Sequence, residues 1–421
     1  MSNDLNEAAV RAARAVNGER LWASLMHLAL FGARPDGGVD RHALSANDIA
    51  ARSWVIETAQ GLGFEVSVDD AANLWIRRKG NRTDAAPVIV GSHIDSQPAG
   101  GKFDGALGVL AGLEGLRALD EAGISTDRPI DVVAWTNEEG GRFERSCTGS
   151  SVWSGAMELE DYLDDIGADG VRLGDALAST LAATPDLPRR PRRFPAHAYL
   201  ELHIEQGPVL ENEGLEIGAV TAIQGIRWMN VEISGHGGHA GTTPMADRRD
   251  AFQAAHRAVA QLNASMADPK DVLRFTVGRF NVMPNSPSVI PERVQFTIDL
   301  RHPDKALLDE RARCITPTVE AAAAPCIASI SPILFMDPMP FPEEMIAGIE
   351  ATANQLGHRA RRLPSGAFHD ALYPALVCPS GMIFVPCRGG LSHHPDEWAE
   401  PRHCHAGARV LTAKAAKLAG A

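Results

Sequence analysis

The sequence predicts an α/β fold: a larger domain built on a mostly parallel sheet flanked by helices, interrupted by a smaller α+β insertion. Two observations predict it. Short β-branched runs alternate with helix-length segments in the N-terminal third, and this texture changes near Ile217 and resumes only after Pro332. In order, Ser45 to Gly61 is apolar at helical spacing and ends in glycine. Ala86 to Gly91 (APVIVG) is a short buried strand, Leu107 to Ala122 a helix entered from a glycine-rich loop, and Ile130 to Trp135 (IDVVAW) a second buried strand. Strand, helix, strand in this order implies parallel pairing, and ligands in such sheets sit at the carboxyl ends of strands. Leu187 to Pro195 (LPRRPRRFP) reads as a surface loop by its proline and arginine content. Beyond Ile217, Arg227 to Ile233, Leu273 to Val282 and Glu292 to Leu300 read as strands and Asp247 to Ser265 as a helix. The expected division is 1–217 with 334–421 for the larger domain and 218–333 for the insertion.

Composition narrows the class. The 421 residues are 45 % hydrophobic and 22 % charged, as in ordinary soluble globular chains. The formal net charge of -13 repels phosphate backbones, so no nucleic-acid partner is expected, and the arginines of the 187–195 loop do not reverse that balance. Six cysteines, none in a C-x-x-C pair, read as reduced and mostly buried thiols. Residues 1–10 lack the charged start and apolar run of a signal peptide. No stretch approaches the roughly 18 apolar residues of a membrane span. The cytoplasm, with no membrane contact, is therefore the expected setting.

Five segments carry residues suited to divalent cations. In Gly91-Ser92-His93-Ile94-Asp95, extended backbone points positions 93 and 95 the same way. His93 can then bind a metal while Asp95 accepts from its other ring nitrogen. Asp104, in Gly101-Lys102-Phe103-Asp104-Gly105, is either a turn or cap residue or a carboxylate able to bridge two cations through its two oxygens. Glu138 and Glu139 follow the strand Ile130 to Trp135; one can ligate while the other holds a water and takes its proton. His203 lies in Glu201-Leu202-His203-Ile204-Glu205-Gln206, and His393 and His394 lie in Leu391-Ser392-His393-His394-Pro395 after the strand Met382 to Val385. Most of these segments directly follow a strand.

Together with Gly235 to Met245 (GHGGHAGTTPM), Val282 to Pro291 and Ser365 to Ala371, these segments resemble the amidase, hydantoinase and carbamoylase branch of the zinc aminoacylase and carboxypeptidase superfamily. The resemblance runs from about Asn17 to Gly407. It implies two divalent metal ions, zinc first, with manganese, cobalt or nickel suited to the same donors. By the family's pattern, His93, Asp104 and His203 would hold one ion, and Asp104, Glu139 and His393 the other, with Asp104 bridging. His393 is chosen over His394 because it follows Ser392 and stands two before Pro395, as the family's ligand does. Glu138 would be the general base, with Asp95 supporting His93. His239 would supply a donor to the oxyanion across a dimer interface, so a homodimer is implied, with the insertion acting as dimerisation and lid domain. Arg301, after the strand Glu292 to Leu300, would hold the substrate's carboxylate, with Asn285, Gln206, His236 and the backbone near Gly366 beside it. Phe368 stands where family members often have glycine; it either reshapes the pocket or points into the core.

The implied activity is hydrolysis of the carbamoyl C–N bond of N-carbamoyl-L-amino acids by a metal-activated water. Allantoate, ureidoglycolate and N-carbamoyl-β-alanine are alternative substrates, each a small carboxylate-bearing carbamoyl or ureido compound. A peptidase fits less well, since Asn285, Gln206 and the Gly-His-Ala-Gly-Thr-Thr run favour the carbamoylase branch. A non-catalytic binding protein is expected to have lost Glu138 or a ligand, and all of them are present.

Overall fold

The computed structural model describes residues 6–82 and 84–421. The chain divides into two compact units, one formed by the chain up to Thr221 with Phe341–Ala421, the other by Ala222–Pro340. The expected boundary at 217/218 lies a few residues early, because Gly218 and Ala219 still pair with the strand Ser380–Val385 of the larger unit. The boundary at 333/334 cuts the strand Ile327–Met336, whose ladder with Gly225–Ser234 runs on to Met336.

In the larger unit the strands lie in the order Glu65–Val68, Leu74–Arg78, Ile130–Trp135, Val88–His93, Ala198–Ile204, Ser380–Val385, Ile217–Ile223. The middle four pair in parallel, and the pairs outside them are antiparallel. All four middle strands are buried along their whole length, which is why Val88–His93 and Ile130–Trp135 open on or contain consecutive β-branched residues rather than alternating. Helix Ala106–Glu121 is buried almost all round and packs with helix Pro401–Leu418 on one face of the sheet, where Val90 and Val132 meet it. Trp135 has the opposite parity to Val132, so it points to the other face. There it joins Trp75, Trp153 and Phe194 in an aromatic cluster. The loop expected at 187–195 contains no helix or strand, and its Arg190 stacks on Trp75 and Phe194.

One packing detail makes a prediction. Lys414, on helix Pro401–Leu418, is 5 % exposed and pressed against Gly348, and burial lowers its pKa from 10.5 to about 8. Between those values the unfolded chain holds the extra proton, so stability rises with pH through that window. Lys414→Met is expected to raise the melting temperature by a few degrees at pH 7, with the gain fading as pH passes 10.5. Calorimetry at both pH values checks this; an equal gain at each would count against it.

The smaller unit is a four-stranded antiparallel sheet, ordered Ile327–Met336, Gly225–Ser234, Arg293–His302, Arg274–Met283. Val294, Phe296, Ile298 and Leu300 alternate onto one face and meet helices Ala251–Ser265 and Lys305–Ala323. The first helix starts four residues later than expected, since Asp250 caps it by accepting from the N–H groups of Phe252 and Gln253. No helix among the described residues is long and apolar enough to cross a membrane.

Candidate metal centre

The four parallel strands bring their carboxyl ends to one place. His93 ends Val88–His93, Glu138 and Glu139 follow Ile130–Trp135, His203 is the penultimate residue of Ala198–Ile204, and His393 lies beyond Ser380–Val385. Asp104 comes from the loop before helix Ala106–Glu121. Gly105 has φ 62°, and a β-carbon there would overlap the His93 imidazole, so glycine alone lets this loop close over His93.

Asp104 faces two ways. Its Oδ1 lies 3.0 Å from His203 Nε2 and 3.4 Å from His93 Nε2. Its Oδ2 lies 3.4 Å from His393 Nε2, which is itself 3.2 Å from Glu139 Oε2. Two groups result, His93–Asp104–His203 and Asp104–Glu139–His393, each with its donor atoms within 4.8 Å of one another. Both buried histidines present Nε2, because their Nδ1–H groups donate to backbone carbonyls, His93 to Asp95 O and His203 to Ile204 O, each at 2.9 Å. His203 Nε2 is thus an acceptor and receives Gly105 N–H at 3.1 Å. His93 Nε2 is buried and makes no hydrogen bond among the described residues, although it faces Asp104 and Glu138. A buried imidazole nitrogen without a hydrogen-bond partner, aimed between carboxylates, fits a cation, and the nitrogen and oxygen donors, with no thiolate in either group, fit zinc or manganese.

The charges are strongly interdependent. Burial raises the Asp104 carboxyl, but His203 first, then His393 and His93, hold it well below the usual carboxylate range. Burial works against the charge of His93, and Glu138 with Asp104 and Asp95 outweighs it. Hydrogen bonds to Asp104 and Glu139 push His393 up to about 11. Glu138 belongs to neither donor group; its Oε2 stands 3.5 Å from His93 Nε2, and burial carries it well above the usual range against the pull of His93. Cys147 Sγ is 3.7 Å from Glu138 Oε1, and its backbone N–H donates to Glu138 O at 3.0 Å.

Two expected roles change. The Asp95 carboxylate is 3.8 Å from His93 Nδ1 and does not accept from it. It receives instead the backbone N–H groups of Glu138 (3.3 Å) and Glu139 (3.2 Å), setting the loop that carries both glutamates. The strand ends at His93, so the shared facing of positions i and i+2 stops there. Gln206, expected beside the substrate, donates Nε2 to Asp104 Oδ2 (2.8 Å) and Ser392 Oγ (3.2 Å), while its Oε1 is buried without a partner among the described residues.

Residues not singled out in the sequence surround these donors. Glu201 accepts from Ser92 Oγ (2.6 Å), Tyr199 OH (3.1 Å) and Ala371 N–H (2.9 Å). Asp370 accepts from Ser150 Oγ at 2.5 Å, and burial and Glu201 raise it well above the usual range. His369 packs edge-on to His203, 4.5 Å between ring centres, and burial keeps it neutral. Glu201 could have been found from its position two before His203 on a strand; the others carry no local signal.

The remaining expected residues are not among these donors. Gly366 follows the strand Ala360–Ser365 and is exposed, and Phe368 is half-buried. His236, His239, Asn285 and Arg301 are in the smaller unit. His239 accepts from Gly241 N–H at Nδ1 (3.0 Å), which leaves its Nε2–H as an exposed donor. Arg301 lies inside its strand rather than after it, and its Nε and Nη2 donate to Asp299 at 3.0 and 2.8 Å. Register shows that these four do not form one cluster. Ser234 and Met283, which lead to His236 and Asn285, pair with Arg293, whereas Arg301 pairs with Ile226 and Arg274 eight residues along the same strand. That separation is about 26 Å.

A parallel sheet whose strand ends gather histidines and carboxylates, with one aspartate shared between two groups, defines an α/β protein of the metal-dependent hydrolase class. Peptidase family M20/M25/M40 matches residues 89–417, and the chain belongs to that family. It is 40 % identical over 399 residues to an N-carbamoyl-L-amino acid amidohydrolase of Geobacillus stearothermophilus, covering 94 % of this chain and 97 % of that one. It is 34 % identical to an allantoate amidohydrolase of Bacillus subtilis, covering 93 % and 95 %. The crystal structure of an amidase of the hydantoinase/carbamoylase family from Burkholderia multivorans superposes with a TM-score of 0.90 at 44 % identity, covering 96 % and 98 %.

Proposed function

We propose that the protein is an amidohydrolase that cleaves the carbamoyl C–N bond of N-carbamoyl-L-amino acids at a centre of two divalent ions, zinc first and manganese, cobalt or nickel next. The observation that carries this reading is Asp104, whose two oxygens face two separate sets of histidine and carboxylate donors. When bound, the ions would polarise the carbamoyl carbonyl and acidify a water. Glu138 Oε2, at the edge of the first group, takes the proton of the attacking water and returns it to the leaving nitrogen. The water oxygen forms a bond to the carbamoyl carbon and one C–N bond breaks, its nitrogen taking the proton; the carbamate so formed then loses carbon dioxide as its own C–N bond breaks, so ammonia, carbon dioxide and the amino acid are the products.

The substrate's carboxylate is assigned to Arg301, whose planar fork suits a planar anion. His239, with Nε2–H outward, is assigned to the developing oxyanion. The separation of about 26 Å between Arg301 and the end bearing His236 and Asn285 exceeds the length of such a substrate. This supports a homodimer in which that end serves the site of a second copy. Six free cysteines, none in a disulfide, suit the reducing cytoplasm.

The test is ammonia release by zinc- or manganese-loaded protein from N-carbamoyl-L-amino acids, N-carbamoyl-β-alanine, allantoate and ureidoglycolate. Turnover concentrated on an N-carbamoyl-L-amino acid is expected. Preference for allantoate, the substrate named for the Bacillus subtilis relative, would reassign the substrate and leave the chemistry intact.

A further inference from the structure

We propose that Glu397 is a positioning residue that holds the shared carboxylate of Asp104 in register for the group completed by Glu139 and His393. This rests on the two-ion reading above. Glu397 is 2 % exposed and touches neither histidine nor glutamate of that group among the contacts described. Its Oε1 accepts the backbone N–H groups of Phe103 (3.0 Å) and Asp104 (3.1 Å). Its Oε2 lies 2.9 Å from Ser392 Oγ, which is 2.8 Å from Asp104 Oδ2. One carboxylate thus grips the backbone of Asp104 and reaches, through one hydroxyl, the oxygen that faces His393.

The next residue strengthens the grip. Trp398 packs edge-on to Phe103 at 5.6 Å, and Trp22 stacks on Phe103 at 5.5 Å and meets Trp398 edge-on at 5.2 Å, so the three rings form one cluster. The loop bearing His393 and the loop bearing Asp104 are therefore tied by an acid and an aromatic ring side by side. Gly101 is shaped to this contact: its φ is not positive, yet a β-carbon there would overlap the Glu397 carboxyl group. The bulk excluded at Gly101 is the space that the carboxylate fills. Oδ1 of Asp104, which faces His93 and His203, has no link to Glu397 through Ser392, so loss of Glu397 falls chiefly on the other group.

The experiment is zinc titration calorimetry and metal content on the full chain for wild type, Glu397→Ala, Glu397→Gln, Gly101→Ala and the Gly101→Ala/Glu397→Ala double variant. Wild type is expected to bind two ions. Glu397→Ala and Gly101→Ala each keep one ion at wild-type affinity and weaken the other by about 10–100-fold. Glu397→Gln, whose amide oxygen still accepts both N–H groups, retains most of the second affinity. The double variant binds no worse than Glu397→Ala, because the added methyl group no longer displaces a carboxylate. Two unchanged sites in Glu397→Ala, equal loss of both ions, or a Gly101→Ala effect undiminished in the double variant would overturn the proposal. A wild type that binds no zinc would overturn the two-ion reading itself, and this inference with it.

Discussion

Glu138→Gln is expected to keep both ions bound and to lower turnover by about 100-fold or more, the scale of lost general acid–base catalysis. The carboxylate lies against the first donor group without belonging to it, 3.5 Å from His93 Nε2, while Glu139 completes the second group with His393. Glutamine keeps the volume, and it keeps an oxygen to meet the Cys147 thiol, which stands 3.7 Å from Glu138 Oε1. What it removes is the site that receives the water's proton. Burial already holds Glu138 well above the usual carboxylate range, which favours a group that both takes a proton and gives it back. Metal content by mass spectrometry and kcat on the preferred carbamoyl substrate measure the two halves separately. Loss of an ion in this variant would mean that Glu138 and Glu139 exchange roles.

Which of these residues could be read from the sequence follows from the range of the interactions that place them. Ile130–Trp135 is legible because a strand buried on both faces needs apolar residues at consecutive positions, and its neighbour in space is close in the chain. The donor histidines and acids are legible because a parallel sheet delivers its strand ends to one edge, so their position after strands has meaning. Asp95 misleads because the strand stops at His93; two residues of turn redirect the carboxylate to the amides of Glu138 and Glu139. Arg301 misleads because Asp299 and Arg301 continue the alternation as polar residues on the open face, and an apolar pattern cannot mark where such a strand ends. Glu397 and Gln206 are beyond local reading altogether. Their partners at Phe103 and Asp104 lie some hundred to three hundred positions away in the chain, and only the closed fold brings them within reach.

Asp104→Asn should separate the two groups. Asp104 is the residue they share, and its ionised form presents an oxygen to each: Oδ1 faces His203 and His93, while Oδ2 accepts from Gln206 and Ser392 and faces His393. An asparagine has one accepting oxygen and one donating NH2. If the oxygen faces His93 and His203, the NH2 meets Gln206 Nε2, a donor, and can offer no lone pair to a cation beside His393 and Glu139. The reverse orientation sets the NH2 against His203 Nε2, which already receives Gly105 N–H. Either arrangement keeps three donors in one group and leaves two in the other. The variant is therefore expected to bind a single ion, with its affinity lowered by the lost negative charge. Activity should fall by orders of magnitude, further than for Glu138→Gln, because water activation and carbonyl polarisation then have one cation instead of two. Zinc stoichiometry by mass spectrometry, with His93→Ala alongside, reads the outcome. Asp104→Asn with two ions at wild-type affinity would show that Asp104 is not shared, and the two donor groups would then have to be assigned to separate functions.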